Sequence, residues 1–433
     1  MTGHLLSDQQ RKRLEEYIQT ANDLQSKRAQ LILLYDDGWM TYKAAEQAGF
    51  SRSQARYWKH QFLLNGFDIF PGLMESDVQA ESVELGEVTP PEEEILTPSK
   101  GSEDIPGQGG LPFPPILARP GILPQDPLAE AGRKIWLFQF AQMIAKEGPT
   151  RLGEDIEDLH EMRVATRRMR TAYDIFQNTF KPKIIKRQLR GLRATGRALG
   201  RVRDMDVLIE KLTAYANTQD ELVQRGLEPL LLAWNVERET SRQELLNYLG
   251  SKDYFLFKNE FNYFVQTPGY GSLVVSPDSL KPNLVCEVVP ALIYQRLGAV
   301  RAYDSILNNA SDLQLHALRI EFKKLRYAVE YFKEVLSTEA SEVIQDLKVM
   351  QDHLGDFHDA VVACSLITAF LKEWEKGQSD RQLIDRQNPE NIVSYLAYLH
   401  AERHRLLVTL PQAWAHFNRS EFRANIATAV SVL

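Results

Sequence analysis

A pattern of one histidine and four basic residues occurs twice in this chain, at residues 160–170 and 316–326. The two segments read HEMRVATRRMR and HALRIEFKKLR. Both place basic residues three, seven, eight and ten positions after the histidine. The first basic row is His160, Arg163, Arg167, Arg168 and Arg170, and the second basic row is His316, Arg319, Lys323, Lys324 and Arg326. Apolar residues around both rows recur at helical spacing, so each row should lie on a helix.

The geometry of a helix gathers most of the first row on one face. Successive residues are rotated by about 100°, which places His160 and three of the arginines within a sector of roughly 80°, with Arg168 on its flank. Arginine stays charged and binds phosphate oxygens with two parallel hydrogen bonds. Because like charges four residues apart destabilise an isolated helix, a stripe of this kind indicates that an anion neutralises it.

The repetition continues beyond the first helix. Residues 189–208 read LRGLRATGRALGRVRDMDVL, and residues 347–363 read LKVMQDHLGDFHDAVVA. Aligning residues 199–200 with 354–355 places Arg203 opposite His358 and Asp204 opposite Asp359. The binding candidates on this second helix are Lys186, Arg190, Arg193, Arg197 and Arg203 in the first half, and Lys348 and His358 in the second. The second half has fewer cations here, so we expect a binding surface with more charge on the first half.

Composition divides the chain into three segments. Residues 1–70 are polar with helical periodicity, and residues 71–127 hold eleven of the twenty prolines. The second segment predicts an acidic, disordered linker, whose last part, LPFPPILARPGILP, is apolar enough to lie along the next domain. Residues 128–433 are helical nearly throughout and break at 267–283, giving halves of about 128–266 and 284–433. The sequence predicts an all-α fold with two pseudo-symmetric helical bundles from an internal duplication.

Charge is segregated along the chain and its total hides this. The net charge is −7, yet residues 160–203 hold thirteen Lys or Arg and two acids, and residues 75–104 hold ten acids and one lysine. Only two cysteines occur, and no apolar run approaches the length of a membrane span. The N-terminal residues also lack the apolar stretch of a secretory signal. These features predict a cytoplasmic protein with no membrane partner.

Residues 28–63 carry a second pattern, at the N-terminus. A helix should end near residue 37, Thr41 can cap a short helix through Ala48, and Gly49 should make a turn before a third helix. The A-x-x-x-G-F-S turn resembles the helix-turn-helix of transposases and small regulators. The candidates for DNA contact are Arg52, Ser53, Gln54, Arg56, Tyr57 and Lys59. DNA binding through residues 1–70, with a phosphate-rich ligand as effector, is therefore an alternative function.

The duplicated H-xx-R-xxx-[RK]-[RK]-x-R helix, followed by a helix ending in LG-xx-[RH]-D, resembles the CHAD domain, the conserved histidine α-helical domain. The resemblance covers about residues 128–433. It implies two helical bundles whose basic helices face a central cavity, and binding of inorganic polyphosphate without catalysis. It also implies association with polyphosphate granules. The residues in the two basic rows and on the second helix match the family's motif and become the polyphosphate-binding candidates.

Two other interpretations stay open. His160 and His316 could face each other near His353 and His358 and bind a metal, although arginines are unfavourable neighbours for a divalent cation. An enzyme acting on phosphoryl bonds would need a phosphate loop or a magnesium-binding carboxylate cluster, and neither pattern occurs. Asp204 and Asp359 more naturally orient basic residues by ion pairing. We therefore expect no catalytic residue, no metal and no cofactor, and the sequence predicts no oligomeric state.

Overall fold

The computed structural model describes residues 111–275, 281–379 and 388–433, together with 6, 8–20, 23–37, 39, 41–50, 55, 58–59, 62, 67 and 70. These residues form helices and no strands, which confirms the all-α fold class. The chain divides into two compact units, Met1–Ser102 and Glu103–Leu433.

The described residues of the N-terminal unit include helices α1 (Asp8–Thr20), α2 (Asp23–Asp36) and α3 (Thr41–Ala48). α1 packs on α2 and α2 on α3, around buried Leu14, Ile32 and Ala44. The turn expected after α3 begins at Gly49, which has a φ of 74°. The DNA-contact candidates Arg52, Ser53, Gln54, Arg56 and Tyr57 lie outside the described residues, and Lys59 holds its Nζ 4.5 Å from the centre of the Tyr35 ring. The helix-turn-helix stays a prediction.

The larger unit contains ten helices in its described residues. The first half has α4 (Leu128–Leu152), α5 (Ile156–Phe176), α6 (Pro182–Asn217), α7 (Glu221–Leu249) and α8 (Lys252–Gln266). The second half has α9 (Val285–Arg301), α10 (Asp312–Tyr331), α11 (Ala340–Ser379), α12 (Glu390–Phe417) and α13 (Ser420–Val430). The basic rows lie on α5 and α10, as predicted.

The two halves pack their helices in the same order. In the first half α5 contacts α4 and α6, while α6 also contacts α7 and α8. In the second half α10 contacts α9 and α11, while α11 also contacts α12 and α13. This match is what an internal duplication predicts, and the duplication itself stays an inference from the sequence. The halves meet where α5 packs on α10, α4 on α9 and α7 on α12.

Local signals in the sequence explain where the two row-bearing helices begin. The side chain of Asp155 accepts a hydrogen bond from the Glu157 amide at 2.9 Å and caps α5. Ser311 and Gln314 form a capping box at the start of α10. Each cap satisfies an amide that the first turn of a helix leaves without a partner. Both rows therefore start about one turn inside a fixed helix end.

Two apolar clusters hold the halves together. The larger one crosses between them, since the rings of Phe176 and Phe332 lie 6.0 Å apart, centre to centre. The smaller one joins the C-terminal halves of α6 and α11 to the N-terminal halves of α7 and α12. Along α6 the buried members of the first cluster end at Val202, and those of the second begin at Leu208. The residues between them, 203–207, are thus free to carry polar side chains.

The same change of cluster occurs on α11, where buried members of the first cluster end at Phe357 and those of the second begin at Ala363. His358 and Asp359 lie between these positions, as Arg203 and Asp204 do on α6. The two LG-xx-[RH]-D segments therefore occupy matching places, at the seam between the apolar clusters.

Residues 111–127, which we placed in the linker, lie along the larger unit. The Asn262 side chain donates to the Leu111 carbonyl at 2.7 Å, and Glu334 accepts hydrogen bonds from the amides of Gly121 and Ile122, both at 2.9 Å. Ile122 belongs to the larger apolar cluster. The apolar side chains of this segment offset the entropy of ordering it. We call residues 111–127 the strap.

One helix in the described part of the chain, Ala340–Gln378, is long and apolar enough to cross a membrane by length and composition alone, since an 18-residue window within it has a mean hydropathy of 1.4. A core helix of a bundle passes the same test. Here the helix packs on α10, α12 and α13 and carries His358 and Asp359 at the seam described above.

Candidate functional site

The two basic rows face each other across the contact between α5 and α10. Burial, followed by the charges of Arg319 and Arg167, lowers the pKa of Lys323 to about 8. The charges of Arg170 and Arg163 also lower the pKa of Lys323. Cations from both halves are therefore close enough to repel one another.

A cavity of about 590 Å³ opens at the seam between the apolar clusters, and we call it the histidine pocket. Its polar lining consists of His160, Arg163, Arg201, Arg203, Asp204, Lys211, Glu237, Ser241 and Glu244 from the first half, and Arg319, His358 and Asp359 from the second. Arg203 and His358, which the repeat places opposite each other, meet in it. Five cations and four carboxylates line this pocket, so its charge is nearly balanced.

A smaller cavity of about 300 Å³ adjoins the first, and we call it the arginine pocket. It is lined by Arg163, Thr166, Arg167, Arg170, Gly196, Arg197, Gly200, Arg201 and Asp204. Five arginines therefore face a single carboxylate. Arg163, Arg201 and Asp204 line both cavities. The surplus positive charge lies on the first half, as the sequence predicted.

Small residues on α6 leave room for the arginines of α5. A Cβ atom built on Gly196 would lie 3.5 Å from Nη1 of Arg170, and one on Gly200 would lie 3.8 Å from Nε of Arg163. The second half repeats the second of these contacts, because a Cβ on Gly355 would lie 3.8 Å from Nε of Arg319. The glycine of each LG-xx-[RH]-D segment thus lies against the first arginine of the row in its own half.

Several buried nitrogen atoms of these pockets have no hydrogen-bond partner. They are Nδ1 of His160, Nε of Arg167, Nη1 of Arg203 and Nε of Arg319. A buried polar atom without a partner costs about 1–3 kcal/mol. Four such atoms lie on side chains that line the two adjoining cavities.

The surroundings of the site's histidines favour the neutral form. Burial lowers the pKa of His160, and the charge of Arg203 lowers it further. His316 and His358 form a pair, with their Nδ1 atoms 3.2 Å apart. Burial also lowers the pKa of both, and the charge of Arg319 adds to that effect. An anion in the pocket would raise the pKa of these histidines and favour their protonated form.

Two carboxylates partner cations in the histidine pocket. Asp204 lies 3.1 Å from Arg163, and Asp359 lies 3.2 Å from Lys211. Burial raises the pKa of Asp204, although the charge of Arg163 acts against that shift. This agrees with the expectation that both acids orient basic residues.

Three members of the basic rows have carboxylate partners outside the pockets. Arg168 lies 3.6 Å and Arg326 3.9 Å from Glu330, and Arg326 is buried against the Tyr327 ring. Lys324 bonds to Glu321 on its own helix at 2.7 Å. None of the three lines either pocket. The structure thus separates them from His160, Arg163, Arg167 and Arg319.

The remaining candidates lie on exposed positions. The side chains of Lys186, Arg190, Arg193 and Arg197 on α6 and Lys348 on α11 are exposed. Arg197 lines the arginine pocket, and Arg193 lies near it because its charge lowers the pKa of Arg170.

Arg201 and Lys211 line the histidine pocket and were not among the candidates predicted from the sequence. Lys211 follows Asp204 by two helical turns, and this spacing on α6 is the signal that could have identified it. Arg201 lies one turn before residue 204, but its ion pair with Glu244 on α7 is not readable from the sequence.

The metal interpretation finds no support in the described residues. His353 lies within 2.9 Å of the Leu406 carbonyl, away from the histidine pair. No group of three or more His, Cys, Asp or Glu side chains suited to a metal occurs among the residues that the structure describes.

A family model described as the CHAD domain matches residues 134–368. Two curated proteins of Mycobacterium tuberculosis, uncharacterized proteins MT2285 (strain CDC 1551 / Oshkosh) and Rv2226 (strain ATCC 25618 / H37Rv), are each 27% identical over 248 residues. These residues are 56% of this chain and 46% of each relative, so the match spans about half the length of the curated relatives.

Two solved structures share the fold. The first is the CHAD domain from the plant Ricinus communis, with a TM-score of 0.50, 20% identity and coverage of 74% of this chain and 98% of that one. The second is PptA from Streptomyces chartreusis, with a TM-score of 0.50, 14% identity and coverage of 67% and 99%.

Proposed function

This chain belongs to the CHAD domain family, and on that premise we propose that its histidine and arginine pockets bind inorganic polyphosphate without catalysing a reaction on it. Members of the family are linked to polyphosphate binding. Association of the protein with polyphosphate granules follows from this proposal.

The observation that carries the proposal is the set of partnerless nitrogen atoms on basic side chains from both halves. Arg203 and Arg319 belong to different halves and line one cavity, and each keeps a buried nitrogen without an acceptor. Crowded cations and donors without acceptors both raise the free energy of the pocket. A polyanion would reduce the repulsion between the cations and accept hydrogen bonds from the donors.

The lining also favours a phosphate polymer without bases. Proteins that bind single-stranded nucleic acid combine cations with aromatic rings on which the bases stack. Among the described residues, no Phe, Tyr or Trp lines the histidine or arginine pocket. Repeated cations along a track suit a ligand that consists of phosphates alone.

The test replaces Arg163, Arg167 and Arg170 with alanine together. We expect the affinity for long-chain polyphosphate to fall by roughly 10- to 100-fold, because charge-assisted hydrogen bonds are lost. The slope of log affinity against log salt should fall by about two, at ~0.7 for each phosphate contact. Filter binding over a salt series measures both.

The matched control replaces Arg225, Arg405 and Arg423, which are exposed and do not line either pocket. This triple variant also loses three positive charges, but outside both pockets, and should keep its affinity for polyphosphate within a few-fold. Equal losses in the two triple variants would show that polyphosphate binds wherever the surface is positive, and the proposal would then fail.

A further inference from the structure

The two adjoining pockets differ in charge in a way that assigns them different parts of one ligand. The arginine pocket sets five arginines against one carboxylate, whereas the histidine pocket sets five cations against four carboxylates. Each added phosphate of a continuing chain brings another negative charge. A chain that runs on through the histidine pocket would pass Glu237 and Glu244 as well as Asp359, at a cost in repulsion.

Resting on the proposed function, we infer that the histidine pocket receives the terminal phosphate group of the polymer, while the arginine pocket holds interior phosphates. A terminal phosphate resembles a monoester, with three acceptor oxygens and a charge of about −2 near pH 7. An interior phosphate, bridged on both sides, has one acceptor oxygen fewer and less charge. The end of the chain is therefore the part with the most acceptors and nothing beyond it to repel.

The donors of the histidine pocket match that group. Three of its side chains, His160, Arg203 and Arg319, each have a buried nitrogen without a partner. They come from three helices, α5, α6 and α10. The two guanidinium nitrogens donate, and Nδ1 of His160 donates in the tautomer that carries its proton there. Side chains from three helices can thus serve a tetrahedral end group with three free oxygens.

The histidine pair adds a donor that adapts to the charge of the end group. The Nδ1–Nδ1 contact of His316 and His358 needs one N–H and one lone pair, so the pair keeps this bond with no added proton or with one. His358 lines the pocket. The charged groups facing the pair are Arg319 and Lys323 on α10 and Asp359 on α11. An end group of charge near −2 would draw a proton onto the pair.

The carboxylates complete the enclosure. Glu237 on α7 is exposed at the pocket, and Glu244 on the same helix is held by Arg201. Asp359 on α11 is held by Lys211 of α6. These acids stand on helices of both halves, so they limit how far the polymer advances.

The experiment compares two forms of one long-chain polyphosphate preparation. One form is untreated, and in the other both terminal phosphates are coupled to ethanolamine as phosphoramidates, which replaces one ionisable oxygen at each end. We expect the full-length wild-type protein to bind the untreated chain about tenfold more tightly, the factor that one charge-assisted hydrogen bond supplies. Equal affinity of the two forms would overturn the inference and leave the proposed function standing.

Variants show which pocket discriminates. His358→Gln should bind both forms with the affinity of the blocked chain, whereas Arg197→Gln, in the arginine pocket, should weaken both forms equally and keep the preference. His400→Gln, on an exposed position of α12, is the matched histidine control and should behave as wild type. A preference that survives in His358→Gln would contradict the assignment.

Glu237→Gln keeps the test independent of the histidine pair and of any folding defect there. Removing this exposed carboxylate should raise the affinity for the blocked polyphosphate and bring it closer to the affinity for the untreated polyphosphate. If the ratio of the two affinities did not change, the acids would not limit how far the polymer advances. If the wild-type protein bound neither form at low salt, the proposed function itself would fail.

Discussion

Lys323 is the cation of the two basic rows whose charge changes closest to neutral pH. Its pKa of about 8 results mainly from burial, followed by the charge of Arg319. In the unfolded chain this lysine titrates near 10.5, so the unfolded state binds more protons between about pH 8 and 10.5. The contribution of Lys323 to the free energy of unfolding therefore rises with pH across that window.

Polyphosphate binding should show the opposite dependence. A bound polyanion favours the protonated lysine, so above pH 8 binding must take up a proton. We predict that affinity falls as the pH rises from 8 to 10, by at most about tenfold per pH unit for one proton. Lys323→Arg should flatten the profile because arginine stays charged. Isothermal calorimetry in two buffers measures the proton uptake, and an equally steep profile in Lys323→Arg would rule this residue out.

Single residues also show where sequence reasoning succeeds. The 100° rotation of a helix placed Arg163 and Arg167 on one face, and both line the arginine pocket. The template treated Lys324 and Arg326 as equivalents of Arg168 and Arg170. However, Lys324 has an acid three residues earlier on its own helix, and Arg326 is buried beside Tyr327. The first contact is readable from spacing, and so is the ion pair of Arg326 with Glu330 four residues later, whereas the burial of Arg326 is not.

At the scale of the helix, close packing depends on residues without a side chain. A Cβ atom on Gly132 of α4 would lie 2.7 Å from Cγ of Phe176 on α5, whereas one on Gly148, on the same helix, would meet nothing within 4 Å. The ring of Phe176 also contacts Phe332 of the second half. Gly132 therefore permits the approach of α4 to the helix that carries the first basic row.

We predict opposite effects for the same substitution at these two positions. Gly132→Ala should lower the free energy of unfolding by about 1–3 kcal/mol through overpacking. Gly148→Ala should raise it by ~0.5–1 kcal/mol, since alanine has the higher helix propensity. Urea denaturation followed by circular dichroism compares the two midpoints. Similar midpoints would mean that Phe176 moves aside without cost.

Periodicity and the repeat were enough to predict an all-α fold and the placement of both basic rows on helices. They could not predict that Glu334 anchors the strap, because that contact joins residues more than two hundred positions apart. The same holds for the Asp359–Lys211 ion pair, which links α11 to α6. Long-range pairs of this kind follow from packing, and a single sequence does not encode them in any local spacing.

At the scale of the whole molecule, segregation of charge gives a chain of net charge −7 a strongly basic segment. The thirteen Lys or Arg of residues 160–203 lie within the larger unit, while the ten acids of residues 75–104 precede the strap. Fields of opposite sign thus belong to different segments. All the described residues that line the two pockets belong to the larger unit, Glu103–Leu433.

Removing the N-terminal segment should therefore separate the two functions that the sequence suggested. We predict that a chain starting at residue 71 keeps its polyphosphate affinity within a few-fold, since every pocket residue and the whole strap remain. If residues 1–70 bind DNA, the same truncation abolishes that binding. Filter binding with long-chain polyphosphate and with duplex DNA, at matched salt, measures both. A truncated protein that still bound DNA as the full chain does would place the DNA contact on the larger unit. Competition in the full-length protein distinguishes the cases: displacement of DNA by polyphosphate indicates one shared surface, and simultaneous binding indicates two.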